Sequence, residues 1–339
     1  MAGVMAGAHS TAVLGAGSWG TALALVLARN GHQVRLWGRD SDQLDRMAAQ
    51  RCNERYLPGY EFPDCLHPCI DMAQAVNGAS LVLLAVPSHG FAACLQQLAQ
   101  VLPVIPDLLW ATKGFEPDSA RLLDDLVVST FGPGIRRAVL SGPSFAREVA
   151  AGLPTAVTLA ASHPDYGRDL AETFHDRAFR IYTSDDLVGV QVGGAVKNVL
   201  AIAAGIADGL AFGANTRAAL ITRGLAELSR LGAAMGGRQS TFMGLAGLGD
   251  LLLTCTDDQS RNRRFGLALA NNETPTAAMA RLGQAVEGYR NTREVMMLAT
   301  RHRLEMPICG QVEQVLYHQL DPREAVQSLL ARALTREDG

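Results

Sequence analysis

Apolar residues in the first half of the chain fall in short unbroken runs, separated by stretches with helical spacing. Thr11–Ala16, Gln33–Trp37, Leu81–Val86, Leu108–Thr112 and Ala138–Ser141 are the runs, and most of them end at Gly or Pro. Such runs read as strands, and the unbroken ones as strands covered on both faces. Ser18–Asn30 is rich in Ala and Leu, stops at Asn30-Gly31, and reads as a helix. Ser41–Gln50, with Asp40 or Ser41 to cap it, and His89–Val101 are two more. Tyr56–Pro68 holds three prolines and reads as an irregular loop. Strands alternating with helices predict an α/β fold, a Rossmann-like, doubly wound parallel sheet.

The pattern changes near residue 187. Beyond it no run reads as a strand, and Val196–Leu210, Ala218–Met235, Thr276–Leu282, Thr292–His302 and Gln311–Tyr317 have helical spacing. Pro307 and Asp321-Pro322 act as helix start signals. The expected organisation is a nucleotide-binding domain over 1–187 and an all-helical domain over 188–339, joined at Thr183–Leu187.

Hydrophobic residues make up 48% and charged residues 19% of 339, which suits a globular chain with a sizeable core. A net charge of −3 argues against a nucleic-acid partner and requires any anion site to gather its cations locally. The apolar stretches are short or broken by Gly and polar residues, so no membrane insertion is expected. Met1–Ser10 has no basic residue and no long apolar block, and does not read as a signal peptide. Six cysteines lie scattered, and Cys65 and Cys69 have no second pair to complete a metal site. Free thiols in a reducing cytoplasm are expected, and no metal.

Among 30 basic residues only Lys113 and Lys197 are lysines. Arginine keeps its proton in a protein, whereas a shielded lysine can give one up, so these two are candidates for proton transfer. Gly15-Ala16-Gly17-Ser18-Trp19-Gly20 follows the first strand and opens the first helix, the context of a dinucleotide loop. Gly15 allows the tight turn, Gly17 the approach of a pyrophosphate, and Gly20 close helix packing, with the helix N-terminus facing the phosphates. An NAD-preferring fold carries an acid about 20 residues on. Here the second strand ends Trp37-Gly38-Arg39-Asp40. Gly38 offers no carboxylate and Arg39 suits a 2′-phosphate, so NADP is favoured and NAD remains possible; in the alternative, Asp40 caps the next helix and Arg39 is solvated.

Further motifs are Ala111-Thr112-Lys113-Gly114, Leu140–Ala146, Gly194–Asn198, Gly247–Leu251 with Thr254-Cys255, Ser260–Arg263 and Val286-Glu287-Gly288. In this order and spacing, and with Gly15–Gly20, they resemble the soluble biosynthetic NAD(P)-dependent glycerol-3-phosphate dehydrogenases, from about Ala12 to about Tyr317. The resemblance implies reduction of dihydroxyacetone phosphate to sn-glycerol 3-phosphate for glycerophospholipid synthesis in the cytoplasm, and a possible homodimer. It implies Lys197 as proton donor and acceptor. It implies substrate contacts from Lys113, Gly142, Ser144, Asp250, Ser260, Arg261 and Asn262. It implies cofactor contacts from Ser18, Trp19, Arg39, Lys113, Ala146, Arg261, Ala285 and Glu287.

The residue types suit that chemistry. A ketone becoming an alcohol needs a proton donor within reach of its oxygen. Desolvation and a second ammonium nearby would both bring a lysine pKa down from ~10.4. Asn198 and Asp250 can orient that ammonium, and Asp250 also reads as a cap of the helix at Leu251. The fork of Arg261 suits a phosphate; alone, Arg261, Arg263 and Arg264 would read as a solvated loop. His89 reads as a loop or cap residue rather than a proton relay. A 3-hydroxyacid dehydrogenase of the same architecture, and a non-enzymatic dinucleotide sensor, remain open as alternatives.

Overall fold

The computed structural model describes residues 9–102 and 104–331. The chain divides into two compact units, one of 1–116 and 121–191, the other of 117–120 and 192–339.

The first unit is built on eight strands: β1 (Ser10–Leu14), β2 (Gln33–Trp37), β3 (Leu66–Cys69), β4 (Leu81–Leu84), β5 (Asp107–Trp110), β6 (Arg137–Ser141), β7 (Thr155–Ala161) and β8 (Phe179–Ser184). Their order in the sheet is β3-β2-β1-β4-β5-β6-β7-β8. From β3 to β6 all pairs are parallel, so the chain leaves every strand at the same edge. The strand order reverses between β1 and β4, and the crevice there is where nucleotides bind in such sheets. The central strands β1 and β4 are almost wholly buried, which explains their unbroken apolar sequence. The helix Ser18–Arg29 is buried from Gly20 to Ala28 and forms the core with Val13, Leu36, Leu83, Leu109 and Leu140.

Three strands correct the expectation. The supposed loop Tyr56–Pro68 ends in β3, an edge strand in which Pro68 is tolerated. β7 and β8 extend the sheet, and β7 runs antiparallel to β6, so the sheet is mixed rather than wholly parallel.

The second unit is helical, and none of its described residues forms a strand. Its longest helix, Leu187–Gly209, begins in the first unit's last residues and is long and apolar enough to cross a bilayer, contrary to expectation. Nearly nine-tenths of its most apolar window is buried inside the protein, which makes it a core helix. Helix Arg261–Ala270 packs on it through small residues at four-residue spacing, Gly205 and Gly209 on one side, Gly266 and Ala270 on the other. A Cβ on Gly205 would stand 2.1 Å from the Arg263 carbonyl oxygen, and one on Gly266 would stand 2.2 Å from that of Ile202. Helices Pro307–Tyr317 and Pro322–Leu330 start at the expected prolines, the second capped by Asp321. The first is capped from elsewhere. The buried carboxylate of Glu227 accepts from Ile308 N (2.7 Å) and Cys309 N (3.1 Å).

Gly266→Ala is expected to force these helices apart and to lower the free energy of unfolding by ~1–3 kcal/mol, the usual cost of overpacking. A urea midpoint equal to the wild type would show that the crossing accommodates a methyl group.

Candidate functional site

The first unit presents its motifs along the C-terminal edge of the parallel strands. Gly15–Gly20 follows β1, Gly38-Arg39 follows β2, Lys113 follows β5 and Gly142–Ser144 follows β6. Gly15 has φ +129°, and a Cβ there would lie 2.5 Å from the Ala85 carbonyl oxygen. Gly20 packs so closely that its Cβ would stand 1.9 Å from the Gly15 oxygen. A Cβ on Gly17 would meet no protein atom within 4 Å. A turn tight at Gly15 and Gly20, open at Gly17 and followed by a helix N-terminus without a side-chain cap fits a bound pyrophosphate. Trp19 Nε1 is buried without a hydrogen-bond partner. Beneath the loop, Gln43 Nε2 and Asn53 Nδ2 donate to the Ala16 carbonyl at 2.9 and 3.1 Å.

Gly38 lies against Ala16, with 2.9 Å between the Ala16 Cβ and a Cβ added at 38. Arg39 is exposed and lies near Cys94, whose thiol burial pushes up to about 12. Asp40 caps the helix Ser41–Gln50 through Gln43 N (3.0 Å) and pairs with Arg55 (2.8 Å). The hydrogen bond to Gln43 N and the Arg55 cation hold its carboxyl below the ordinary range. Of the two caps expected for this helix, Asp40 is therefore the one used.

At β5 and β6 the Gly142 carbonyl oxygen gathers two donors, Lys113 Nζ at 3.2 Å and Ser144 Oγ at 2.9 Å. Gly142 has φ +144° and its Cα sits against Val157. Ala146 opens the short helix Ala146–Ala150. His89, five residues beyond β4, is exposed in the first turn of helix Ser88–Val101.

In the second unit Lys197 is buried on helix Leu187–Gly209. Its Nζ donates to Asp250 Oδ1 and, at 2.8 Å, to Thr254 Oγ1. Asp250 and Thr254 stand one turn apart on helix Asp250–Thr256, so both face the ammonium. Asp250 is the first residue of that helix, so the helix begins one residue before Leu251. A π-helical turn, Leu245–Gly249, leads into it. Gly193, one turn before Lys197, lets this turn approach, for its Cβ would lie 2.3 Å from the Ala246 oxygen. The group bonded to Lys197 is thus a carboxylate, that of Asp250, one of the two side chains expected to orient the ammonium. Burial pushes the nearby Cys255 thiol up to about 12, which keeps it neutral.

Ser260 caps helix Arg261–Ala270 through Arg263 N (3.2 Å). Asn262 Nδ2 donates to Asn198 Oδ1 (2.8 Å), next to Lys197, and Asn262 Oδ1 accepts from Gly288 N (2.9 Å). Arg261 Nη1 donates to Gln284 Oε1 (3.1 Å), and Glu287 acts on its charge. Burial lowers the Arg261 pKa, an effect that Glu287 opposes. Ala285 is exposed in the same segment. Lys197, Asp250, Asn262, Arg261 and Glu287 therefore belong to one connected region of this unit. Arg263 departs from the solvated-loop reading. It is buried and binds the Cys255 carbonyl, Asp258 and Asp208.

The sequence reading passed over Thr254 as a partner of Lys197, although its place four residues after Asp250 was a signal for it. It also passed over Gln43 and Asn53. Nothing local in the sequence ties those two amides to a loop more than 25 residues earlier.

Family models described as the N-terminus and the C-terminus of NAD-dependent glycerol-3-phosphate dehydrogenase match residues 10–167 and 186–327. An NAD(P)+ glycerol-3-phosphate dehydrogenase of Pseudoalteromonas translucida is 55% identical over 94% of this chain and 96% of its own length. One of Aeromonas hydrophila is 55% identical over 97% and 98%. A crystal structure of glycerol-3-phosphate dehydrogenase from Coxiella burnetii superposes with a TM-score of 0.93 at 50% identity, over 96% of this chain and 99% of that one. With both family models matched in order along nearly the whole chain, the protein belongs to the NAD-dependent glycerol-3-phosphate dehydrogenase family.

Proposed function

We propose that the protein reduces dihydroxyacetone phosphate to sn-glycerol 3-phosphate with NAD(P)H, and that Lys197 supplies the proton. The observation that carries the assignment of this role is the buried ammonium of Lys197 held by Asp250 and Thr254. When bound, the reduced nicotinamide supplies the hydride. Lys197 Nζ gives a proton to the substrate oxygen as the C–O bond becomes single, and takes it back in the reverse direction. Asp250 balances the ammonium charge and, with Thr254, fixes Nζ in place. Arg261 and Asn262, in the first turn of a helix whose N-terminus favours anions, bind the substrate phosphate. The Gly142 carbonyl oxygen holds the Lys113 ammonium beside Ser144, and these groups bind substrate at the edge of the first unit.

Gly15–Gly20 holds the pyrophosphate, and Trp19, Ala146, Ala285 and Glu287 complete the cofactor contacts. NADPH is the preferred reductant, supported by an exposed arginine at 39 and by a glycine in place of an acid at 38. The protein acts in the cytoplasm as a homodimer, without membrane insertion; the burial of the long apolar helix Leu187–Gly209 supports the last point. The direct test is NADPH oxidation with dihydroxyacetone phosphate and with unphosphorylated dihydroxyacetone. Turnover of hydroxyacid partners instead would favour a 3-hydroxyacid dehydrogenase.

Arg39→Ala is expected to weaken NADPH much more than NADH. A lost charge-assisted contact of ~1.5–3 kcal/mol changes the preference by roughly ten- to a hundredfold. Equal losses for both cofactors, measured by titration, would remove Arg39 from the 2′-phosphate.

Arg261→Lys lacks the planar pair of donors and is expected to lower kcat/KM for dihydroxyacetone phosphate strongly. The poor rate with dihydroxyacetone should change little. The same proportional loss for both substrates would argue against a phosphate contact.

Lys197→Arg keeps the charge but not a transferable proton. It is expected to fold and bind NADPH while turnover drops by a factor on the order of 10²–10⁴. In the wild type, glycerol 3-phosphate oxidation should rise with pH as Lys197 loses its proton and becomes a base. That limb should vanish in the variant; near-normal turnover with the same pH profile would assign the proton to another group.

A further inference from the structure

The dinucleotide loop is held from behind by two buried amides. Gln43, on helix Ser41–Gln50, and Asn53, in the turn after it, are both buried, Asn53 completely. Both donate to the same acceptor, the Ala16 carbonyl oxygen, at 2.9 and 3.1 Å. Asn53 makes further bonds with both ends of its amide. Asn53 Nδ2 donates to Thr21 Oγ1 at 2.8 Å, and Asn53 Oδ1 accepts from Gln43 Nε2 (3.4 Å) and Tyr56 N (3.3 Å). An amide network of this kind is stiff, because rotation of Asn53 or Gln43 would break several of these buried bonds at once.

The peptide between Ala16 and Gly17 is trans, so its C=O and N–H point in opposite directions. With the oxygen drawn inward to two amides, the Gly17 N–H points away from them, on the residue whose Cα opens onto space without protein atoms. The neighbouring carbonyls are turned inward as well. The Gly17 oxygen accepts from Thr21 N at 3.0 Å, and the Gly15 oxygen lies against Gly20. A glycine-flanked peptide flips readily, and a flip here would present a carbonyl oxygen to an anion.

We infer that Gln43 and Asn53 are positioning residues for the cofactor. By fixing the Ala16 carbonyl, they aim the Gly17 N–H at the pyrophosphate. The inference rests on reading Gly15–Gly20 as the pyrophosphate loop. It concerns affinity for the diphosphate part of the ligand and not the adenosine end.

The test measures dissociation constants by titration for NADPH, for 2′-phospho-ADP-ribose, which retains the pyrophosphate, and for adenosine 2′-phosphate, which lacks it. Gln43→Met and Asn53→Leu remove each donor with little change in volume, and the double variant leaves the Ala16 oxygen with neither. Each single variant should weaken both pyrophosphate ligands a few-fold, and the double variant by about tenfold or more. Adenosine 2′-phosphate should bind all of them as it binds the wild type, which also reports that the unit is folded. Thr21→Val breaks the Asn53–Thr21 bond without touching Ala16 and should leave all three ligands within about twofold of the wild type. Should Asn53→Leu fail to fold, Gln43→Met alone still decides by the ratio of the ligands. The inference is overturned if the variants keep wild-type affinity for the pyrophosphate ligands, or lose all three in equal proportion. If the wild type binds 2′-phospho-ADP-ribose no better than adenosine 2′-phosphate, the loop itself has been misread, and this inference falls with it.

Discussion

An ammonium buried in an apolar helical unit sets the terms for most of what surrounds it. Taking Lys197 out of water costs several kcal/mol unless a partner meets it at close range. The partners are Asp250 and Thr254, and they reach Nζ only because their helix starts where it does. That start depends on the π-helical turn Leu245–Gly249, and the turn depends on Gly193, where any side chain would strike the Ala246 carbonyl. The close packing at Gly205 and Gly266 is of the same kind. It lets Asn262 reach Asn198, the residue next to the lysine. These three glycines thus serve one end, which is to bring polar groups within hydrogen-bonding distance in an otherwise apolar interior.

Charge elsewhere in the same unit is handled by a different arrangement. Arg263 is buried like Lys197, but its guanidinium is spread over the Cys255 carbonyl, Asp258 and Asp208, and Asp208 is shared with Arg217. With its donors spread over three groups and its proton fixed, such a cation ties segments together. Lys197 carries its charge on a single nitrogen, a group able to exchange a proton. The scarcity of lysine therefore has a physical counterpart: at position 263 an arginine is used where charge must hold structure.

The central strands could be read from the sequence because burial on both faces leaves an unbroken apolar run. The strands that escaped lie outside that centre. β3 is four residues long with Pro68 in it, and β8, at the sheet's other edge, buries only Phe179. Of the candidate site, the residues that could be proposed from the sequence lie in contiguous motifs, among them Lys197, Asp250 and Ser260–Asn262. The residues that were not legible act across long sequence separations. Glu227 caps a helix some 80 residues away, and Gln43 and Asn53 bind a carbonyl 27 and 37 residues before them. Local pattern carries no record of such pairings, since a buried amide or acid has the same sequence signature as an exposed one.

The contact between Gly38 and Ala16 bears on how this loop can change its choice of cofactor. An acid at the end of the second strand is the usual way to recognise the unmodified ribose. At position 38 even a single methyl group would stand 2.9 Å from the Ala16 Cβ, on the segment anchored by Gln43 and Asn53. A one-step replacement of Gly38 by Asp or Glu would therefore distort the pyrophosphate loop before it could offer a carboxylate to the ribose. Packing thus closes position 38 to an acid, and a carboxylate for the ribose would have to come from a residue further along the chain.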